Sequence, residues 1–294
     1  MERASLRHEN GTTAVREFLG GSSPRASGFI VTLYGDVAAP RGGTLWMGTL
    51  IESCAAQGIS ESLVRTAVSR LVENGRLVGD RIGRKSYYRL TKPAEKEFSG
   101  AAELLYSPPP PPERFLLALG ARDLPEGWAR IGPEAALSPE GTQKPSNCAV
   151  FTANDLVGVE HLPDFVGRFW PLDAVETAYR DFVETFSPLE AALEEGGALD
   201  GATALALRLR LVHHFRAAAL ADPRLPAVAL PKGWPAGAAR LLFVSLYLKV
   251  SASADRHIGL AFQNSDGFLP ERTETTAFRL EALHGEVARQ DEGD

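Results

Sequence analysis

The sequence predicts an α+β protein on three observations. Near the N-terminus, apolar residues at helical spacing precede a short turn, a second helical stretch and two strand-like runs around a glycine. Short apolar segments broken by Gly and Pro follow in the middle and read as strands. Beyond Trp170-Pro171 long helical periodicities take over. At 294 residues the chain exceeds the usual size of one domain, so seams are expected.

Residues 1–26 are polar and of mixed charge, and read as a flexible N-terminal tail rather than a secretory signal. Residues 27–97 carry the helix-turn-helix pattern. A short helix is expected over 27–34 and a loop over 35–43, where Pro40 and two glycines gather. Thr44 is placed to cap a second helix burying Leu45, Met47, Leu50, Ile51 and Cys54, which stops at Gly58. Ser60 caps a third helix with Glu61 in its first turn. Val64, Ala67, Val68 and Leu71 form the apolar face of that helix, leaving Ser62, Arg65, Thr66, Ser69 and Arg70 outward. Arginines among small hydroxyl residues suit the major groove, although an ordinary surface helix shares the pattern.

The runs Leu77 to Ile82 and Ser86 to Thr91 flank Gly83-Arg84-Lys85 and read as a β-hairpin. A basic-tipped hairpin after a helix-turn-helix is a wing. Residues 27–97 are therefore expected to bind double-stranded DNA, with Arg81, Arg84 and Lys85 at the phosphates or the minor groove and Tyr87 or Arg89 placed to add contacts. Charge agrees: residues 1–100 carry 14 Lys+Arg against 10 Asp+Glu, and the remainder 17 against 27, which segregates positive charge toward this end.

Residues 98–112, ending in five prolines, read as a stiff linker. Residues 113–167 read as a small β-rich domain, with strands at Phe115 to Leu119, Ala129 to Leu137 and Cys148 to Thr152. The interval from Gly120 to Trp128, with Pro125 and Gly127, is too short for a crossover helix and its loops. Residues 168–294 read as all-α. Asp173 caps a helix burying Val175, Tyr179, Phe182, Val183 and Phe186, which Pro188 interrupts. Asp200 starts another, with Leu205, Leu209, Val212, Phe215 and Ala219 on one face. Two more helices run from Ala236 to Val250 and from Glu274 to Val287.

No apolar run is long enough for a membrane span, and two widely separated cysteines, Cys54 and Cys148, suit a reducing cytoplasm. No spaced nucleophile–base set, Walker-type loop or metal motif is present, and adjacent His213-His214 lack the spacing that puts two imidazoles on one helix face. An enzyme and a cofactor are therefore not expected; a hydrolase or nuclease is the weaker alternative, and a ligand-independent architectural DNA-binding protein the stronger one.

The stretches Phe29-Ile-Val-Thr-Leu-Tyr-Gly-Asp36, Pro40-Arg-Gly-Gly43, Leu45-Trp-Met-Gly48, Leu63-Val-Arg-Thr-Ala-Val-Ser-Arg-Leu71 and Arg81-Ile-Gly-Arg-Lys-Ser-Tyr-Tyr-Arg-Leu90 resemble the PaaX family of repressors of phenylacetate catabolism. The likeness resumes at Phe169-Trp-Pro-Leu172, Tyr179 to Leu189, His214-Phe-Arg216, Asp222 to Pro226 and Leu230 to Trp234. The resemblance implies a cytoplasmic homodimer with an N-terminal winged helix, a ferredoxin-like middle domain, here shortened, and a helical C-terminal domain for effector binding and dimerisation. It also implies release from the operator by phenylacetyl-CoA. A CoA thioester needs cations beside an apolar slot, and Arg208, Arg210, His213, His214 and Arg216, with Trp234 and Arg240 beyond the Pro-rich turn, are the candidates. Helix-surface ion pairs of these arginines with Glu194, Glu195 or Asp200 are the competing reading.

Overall fold

The computed structural model describes residues 2–196 and 198–291 and is α+β. Its first element is a helix, α1 (Glu2–Leu19), where a loose tail is expected. Val15 is fully buried, Phe18 packs edge-on against Phe186 at 5.3 Å, and a Cβ on Gly11 would fall 2.6 Å from the Ala192 carbonyl oxygen. These contacts lie at isolated positions and do not make a continuous apolar stripe that periodicity would reveal.

Helix α2 (Ala26–Leu33) continues through a π-helical turn, Tyr34–Ala38, and a 3-10 turn, Ala39–Arg41. The expected loop is thus helical as far as Arg41, because Tyr34, Asp36, Val37, Ala38 and Arg41 are all buried. The chain reverses at Gly42 and Gly43, both at positive φ (91° and 72°), where a side chain would be strained. Thr44 does not cap a helix: strand β1 (Thr44–Trp46) precedes α3 (Met47–Ala55), with Trp46 at the N-cap. Helix α4 (Glu61–Glu73) begins after Ser60, and β2 (Leu77–Ile82) and β3 (Lys85–Leu90) form the hairpin. The three strands make one antiparallel sheet, order β1-β3-β2, with Leu45 opposite Tyr88 and Gly79 also opposite Tyr88. Most of the expected linker is helix α5 (Lys92–Tyr106), capped by Thr91 and anchored by buried Phe98, Leu105 and Tyr106.

Strands β4 (Phe115–Leu119), β5 (Ala129–Arg130), β6 (Ala135–Pro139) and β7 (Ala149–Ala153) form an antiparallel sheet, order β5-β6-β4-β7, with loops alone between them. The single strand expected from Ala129 to Leu137 is a hairpin, turned at Gly132-Pro133. A short helix, α6 (Leu162–Val166), follows. Val166, Trp170, Leu172 and Leu225 pack with Phe115 into one core, and Ala118, Ala121 and Ala136 into another.

The remaining elements are α7 (Leu172–Gly196), α8 (Gly201–Ala219), α9 (Ala236–Ala261), the small hairpin β8 (Gln263–Asn264) and β9 (Gly267–Phe268), and α10 (Glu274–Asp291). Pro188 does not break α7. The proline lacks only one hydrogen bond, and Phe186, Leu189 and Leu193 carry the buried stripe past it. Asp200 does cap α8, accepting from the Thr203 amide at 2.9 Å.

Residues 1–108, 182–217 and 238–294 form one compact unit, and residues 109–181 and 218–237 a second. The expected separation of an N-terminal domain (27–97) from a C-terminal helical domain (168–294) therefore does not hold. The cause is α8. Every residue from Ala204 to Val212 on it is buried, so it is a central helix and not one with a single apolar face. Its Arg208 requires anions inside the core. They come from the π-helical turn and from α9, in a buried chain of alternating charge: Arg41–Asp255 (2.9 Å), Asp255–Arg208 (2.8 Å), Arg208–Asp36 (2.9 Å) and Asp36–Arg279 (3.2 Å). The hydroxyls of Tyr106 and Tyr247 donate to Asp36 at 2.9 and 2.8 Å. N-terminal and C-terminal segments are thereby one folding unit.

Candidate nucleic-acid interface

Helix α4 divides its residues as its spacing requires. Val64, Ala67, Val68 and Leu71 are buried, while Ser62, Arg65, Thr66, Ser69 and Arg70 are exposed. Arg65 pairs with Glu61 one turn earlier at 2.7 Å, an exposed contact of small strength that another anion can displace. Thr66 bonds the Ser62 carbonyl at 2.9 Å, and Ser69 donates to Glu73 at 3.1 Å. The structure also presents Leu63, 56 % exposed, on the stripe it shares with Thr66 and Arg70. Sequence reasoning passed over it, although it falls off the Val64–Leu71 stripe; an apolar side chain there suits a thymine methyl group.

A cleft of about 430 Å³ separates α4 from the hairpin, and Arg65 and Ser69 face Arg81 and Ser86 across it. Arg81, Arg84 and the 57 %-exposed Ile82 cluster around the hairpin turn. Lys85 departs from expectation. Its ammonium donates to Gln263 of β8 at 3.0 Å and lies 4.6 Å from the centre of the Trp46 ring, so it points back toward the body of its unit. Tyr87 is buried, and Arg89 pairs with Asp80 at 3.4 Å.

The candidate effector residues do not converge, and Arg210 is turned to Gln57 Oε1 at 2.6 Å and the Ser22 carbonyl at 2.7 Å. Arg208 is 1 % exposed and saturated by Asp36 and Asp255. His213 Nδ1 lies 2.9 Å from the Thr32 hydroxyl; burial, reinforced by His214, Arg216 and Arg210, lowers its pKa to about 4, so it is neutral and supplies no cation. His214 packs against Phe186, and Arg216 bonds Gly28 O and the Thr32 hydroxyl at 3.3 Å each. Arg240 is clamped by Glu286 at 2.7 Å and by the Leu105 carbonyl. Trp234 belongs to the other compact unit, edge-on to Tyr179. Among the described residues the competing surface pairs are not formed: Glu194 faces Lys249 and Asp200 faces Arg16, while the Glu195 side chain lies outside the described residues. Arg208, His213, His214 and Arg216 of α8 and Arg240 of α9 are thus engaged inside their unit.

Among the described residues no helix is long and apolar enough to cross a membrane. A family model for PaaX-like proteins matches residues 25–94, and one for the PaaX-like C-terminal domain matches residues 170–259. The chain is 29 % identical over 271 residues to the transcriptional repressor PaaX of Escherichia coli (strain K12), covering 82 % of this chain and 85 % of that protein. Among solved structures, the uncharacterized protein Rv0674 from Mycobacterium tuberculosis is similar at 19 % identity and a TM-score of 0.41, over 71 % of this chain and 89 % of that one. Matched by models for both domains, which together span more than half of its length, the chain belongs to the PaaX-like family.

Proposed function

We propose that this chain is a transcriptional repressor that grips its operator with a winged helix made of α3, α4 and the β2–β3 hairpin. The observation that carries the reading is the outward face of α4, which exposes Arg65, Arg70 and three hydroxyl residues and whose Arg65 and Ser69 line one cleft with Arg81 of the adjoining hairpin. In this reading α4 enters the major groove, Arg65 and Arg70 bond guanine or phosphate, and Ser62, Thr66 and Ser69 allow close approach. Arg81 and Arg84 lie on the backbone or in the minor groove. Lys85 joins them only by leaving Gln263 and Trp46. A homodimer follows from reach, because one winged helix reads too few base pairs for a selective site.

The antiparallel order β5-β6-β4-β7 supports reading the sheet as a ferredoxin-like domain that has loops in place of its two crossover helices. Family membership supports an operon of phenylacetate catabolism as the target and an aryl-acyl-CoA, such as phenylacetyl-CoA, as the releasing ligand. Titrating that thioester into the complex of the chain with its own upstream promoter DNA tests this. Release by the thioester and not by free phenylacetate is expected. Indifference to any acyl-CoA would favour the second reading, a DNA-binding protein without an effector, which the internal engagement of Arg208, Arg216 and Arg240 supports.

A further inference from the structure

One segment ties the wing to the charged core of its own unit. Between α9 and α10 the chain runs out through β8 and back through β9, closed by the Leu269 amide, which donates to the Phe262 carbonyl at 2.8 Å. Its return arm is fastened inside. Arg41, a member of the buried charge chain, donates to the Pro270 and Glu271 carbonyls at 2.9 and 3.0 Å, and the Thr273 hydroxyl donates to the Pro40 carbonyl at 2.8 Å. Its outgoing arm reaches the winged helix. There the Gln263 backbone amide donates to the Thr49 hydroxyl of α3 at 3.3 Å, and the Gln263 side-chain oxygen accepts from the Lys85 ammonium at 3.0 Å.

The seat that Lys85 occupies is fixed on both sides. The ammonium lies 4.6 Å from the centre of the Trp46 ring, and that ring is pressed onto Gly48, where a Cβ would fall 2.4 Å from its carbons. Gln263, on the other side, is held by its backbone bond to Thr49 and by its pairing with Phe268 of β9. Lys85 itself is exposed, and a neutral oxygen and an aromatic face receive its charge. Both contacts are weak at an exposed site, and neither matches the charge-assisted bond that a phosphate offers an ammonium. The lysine is therefore seated firmly enough to be placed and loosely enough to be drawn away.

We propose that Gln263 is a positioning residue for DNA binding: with Trp46 it seats Lys85 away from the phosphates, and the β8–β9 hairpin sets how readily the lysine leaves. The seat is a brake on operator affinity. It is fastened, through Arg41 and that residue's partner Asp255, to the core that joins the N-terminal and C-terminal segments. A shift of the segment between α9 and α10 thus adds or removes one phosphate contact of the wing. This inference rests on the winged-helix reading above and is independent of which effector the chain takes.

The test is a double-mutant cycle on the affinity of the full-length chain for its own upstream DNA, measured by fluorescence anisotropy from about 50 to about 200 mM salt. Gln263→Met removes the accepting oxygen, keeps the length of the side chain and leaves the backbone bond to Thr49 in place. It should tighten binding about threefold or more, and Lys85→Ala should abolish that gain. In the Gln263→Met background Lys85→Ala should also lower the salt-dependence slope by about 1, the value for one phosphate, and by less in the unaltered chain. The Tm of the free chain should not move, which separates positioning from folding; Gln263→Ala, which lacks the same oxygen, repeats the measurement if methionine disturbs the hairpin. Equal losses on Lys85→Ala in both backgrounds, or a gain from Gln263→Met that persists without Lys85, would overturn the proposal and leave the DNA reading standing. Failure of the unaltered chain to bind its upstream DNA would overturn the DNA reading, and the proposal with it.

Discussion

Asp36→Asn tests the claim that the N-terminal and C-terminal segments are one folding unit. The Asp36 carboxylate is 1 % exposed and accepts from Tyr247 at 2.8 Å, Arg208 at 2.9 Å, Tyr106 at 2.9 Å and Arg279 at 3.2 Å. An amide there turns one acceptor into a donor facing donors, leaves Arg279 without its carboxylate partner, and leaves Arg208 to share Asp255 with Arg41. Removing one partner of a buried pair costs about 3–5 kcal/mol, set against a typical total stability of about 5–15 kcal/mol. At about 2–4 °C per kcal/mol for a unit of this size, Tm should fall by about 6–20 °C. Thermal and urea unfolding of the full chain at pH 7, followed by tryptophan fluorescence, measures it. A fall below about 2 °C would show that the charge chain is incidental to stability.

The same variant has a pH signature. Burial pushes the Asp36 carboxyl up, but Arg208 and Arg279, with the Tyr247 and Tyr106 hydroxyls, hold it below the usual range. A depressed acid contributes stability that is complete above its unfolded pKa of about 3.9 and is lost as pH falls through the folded value. The wild type should therefore lose stability below about pH 4, and Asp36→Asn should lack that component.

Other expectations follow the same logic. His213, with a folded pKa of about 4 against about 6.5 unfolded, withdraws up to about 3 kcal/mol of stability as pH falls from 6.5 to 4, because the unfolded chain binds the proton first. His213→Asn should flatten urea midpoints over that window, and an unchanged slope would show that another group governs it. Gly11→Ala drives a Cβ into the Ala192 carbonyl oxygen; a destabilisation of about 1–3 kcal/mol and faster limited proteolysis within α1 should result. Arg84→Ala should weaken binding to all DNA sequences alike and lower the salt-dependence slope by about 1, as read by anisotropy from 50 to about 200 mM salt. An effect confined to one base position would instead make Arg84 a base reader.

What the sequence disclosed depends on how local its determinants are. Helix α4 was legible because four apolar residues at helical spacing follow closely on Ser60, which stands at the N-cap position without a side-chain capping bond, and the hairpin because Gly83 sits between two β-prone runs. The continuation of α2 was hidden: Gly35, Pro40 and Gly42-Gly43 signal a loop, and burial of Tyr34, Asp36 and Arg41 against distant helices overrides them. Pro188 misled for the same reason, since packing on either side of it offsets one absent hydrogen bond. The arginines of α8 were read as ligand-facing because a single sequence shows neither that α8 is buried all round nor that Asp36, 172 residues away, supplies its counter-charge. Lys85 and Tyr87 are placed otherwise than expected, Tyr87 by burial and Lys85 by a glutamine beyond α9 that no local pattern connects to the hairpin.

Whether α4 reads DNA is decided by the operator affinity of the Arg65→Ala/Arg70→Ala double variant, measured by fluorescence anisotropy on a duplex defined by footprinting. Both side chains are exposed, so the fold and Tm should be unaffected. Binding should weaken by about 1–3 kcal/mol for each arginine that contacts a base, with relaxed preference at the corresponding positions. Affinity and preference equal to those of the unaltered chain would contradict the account.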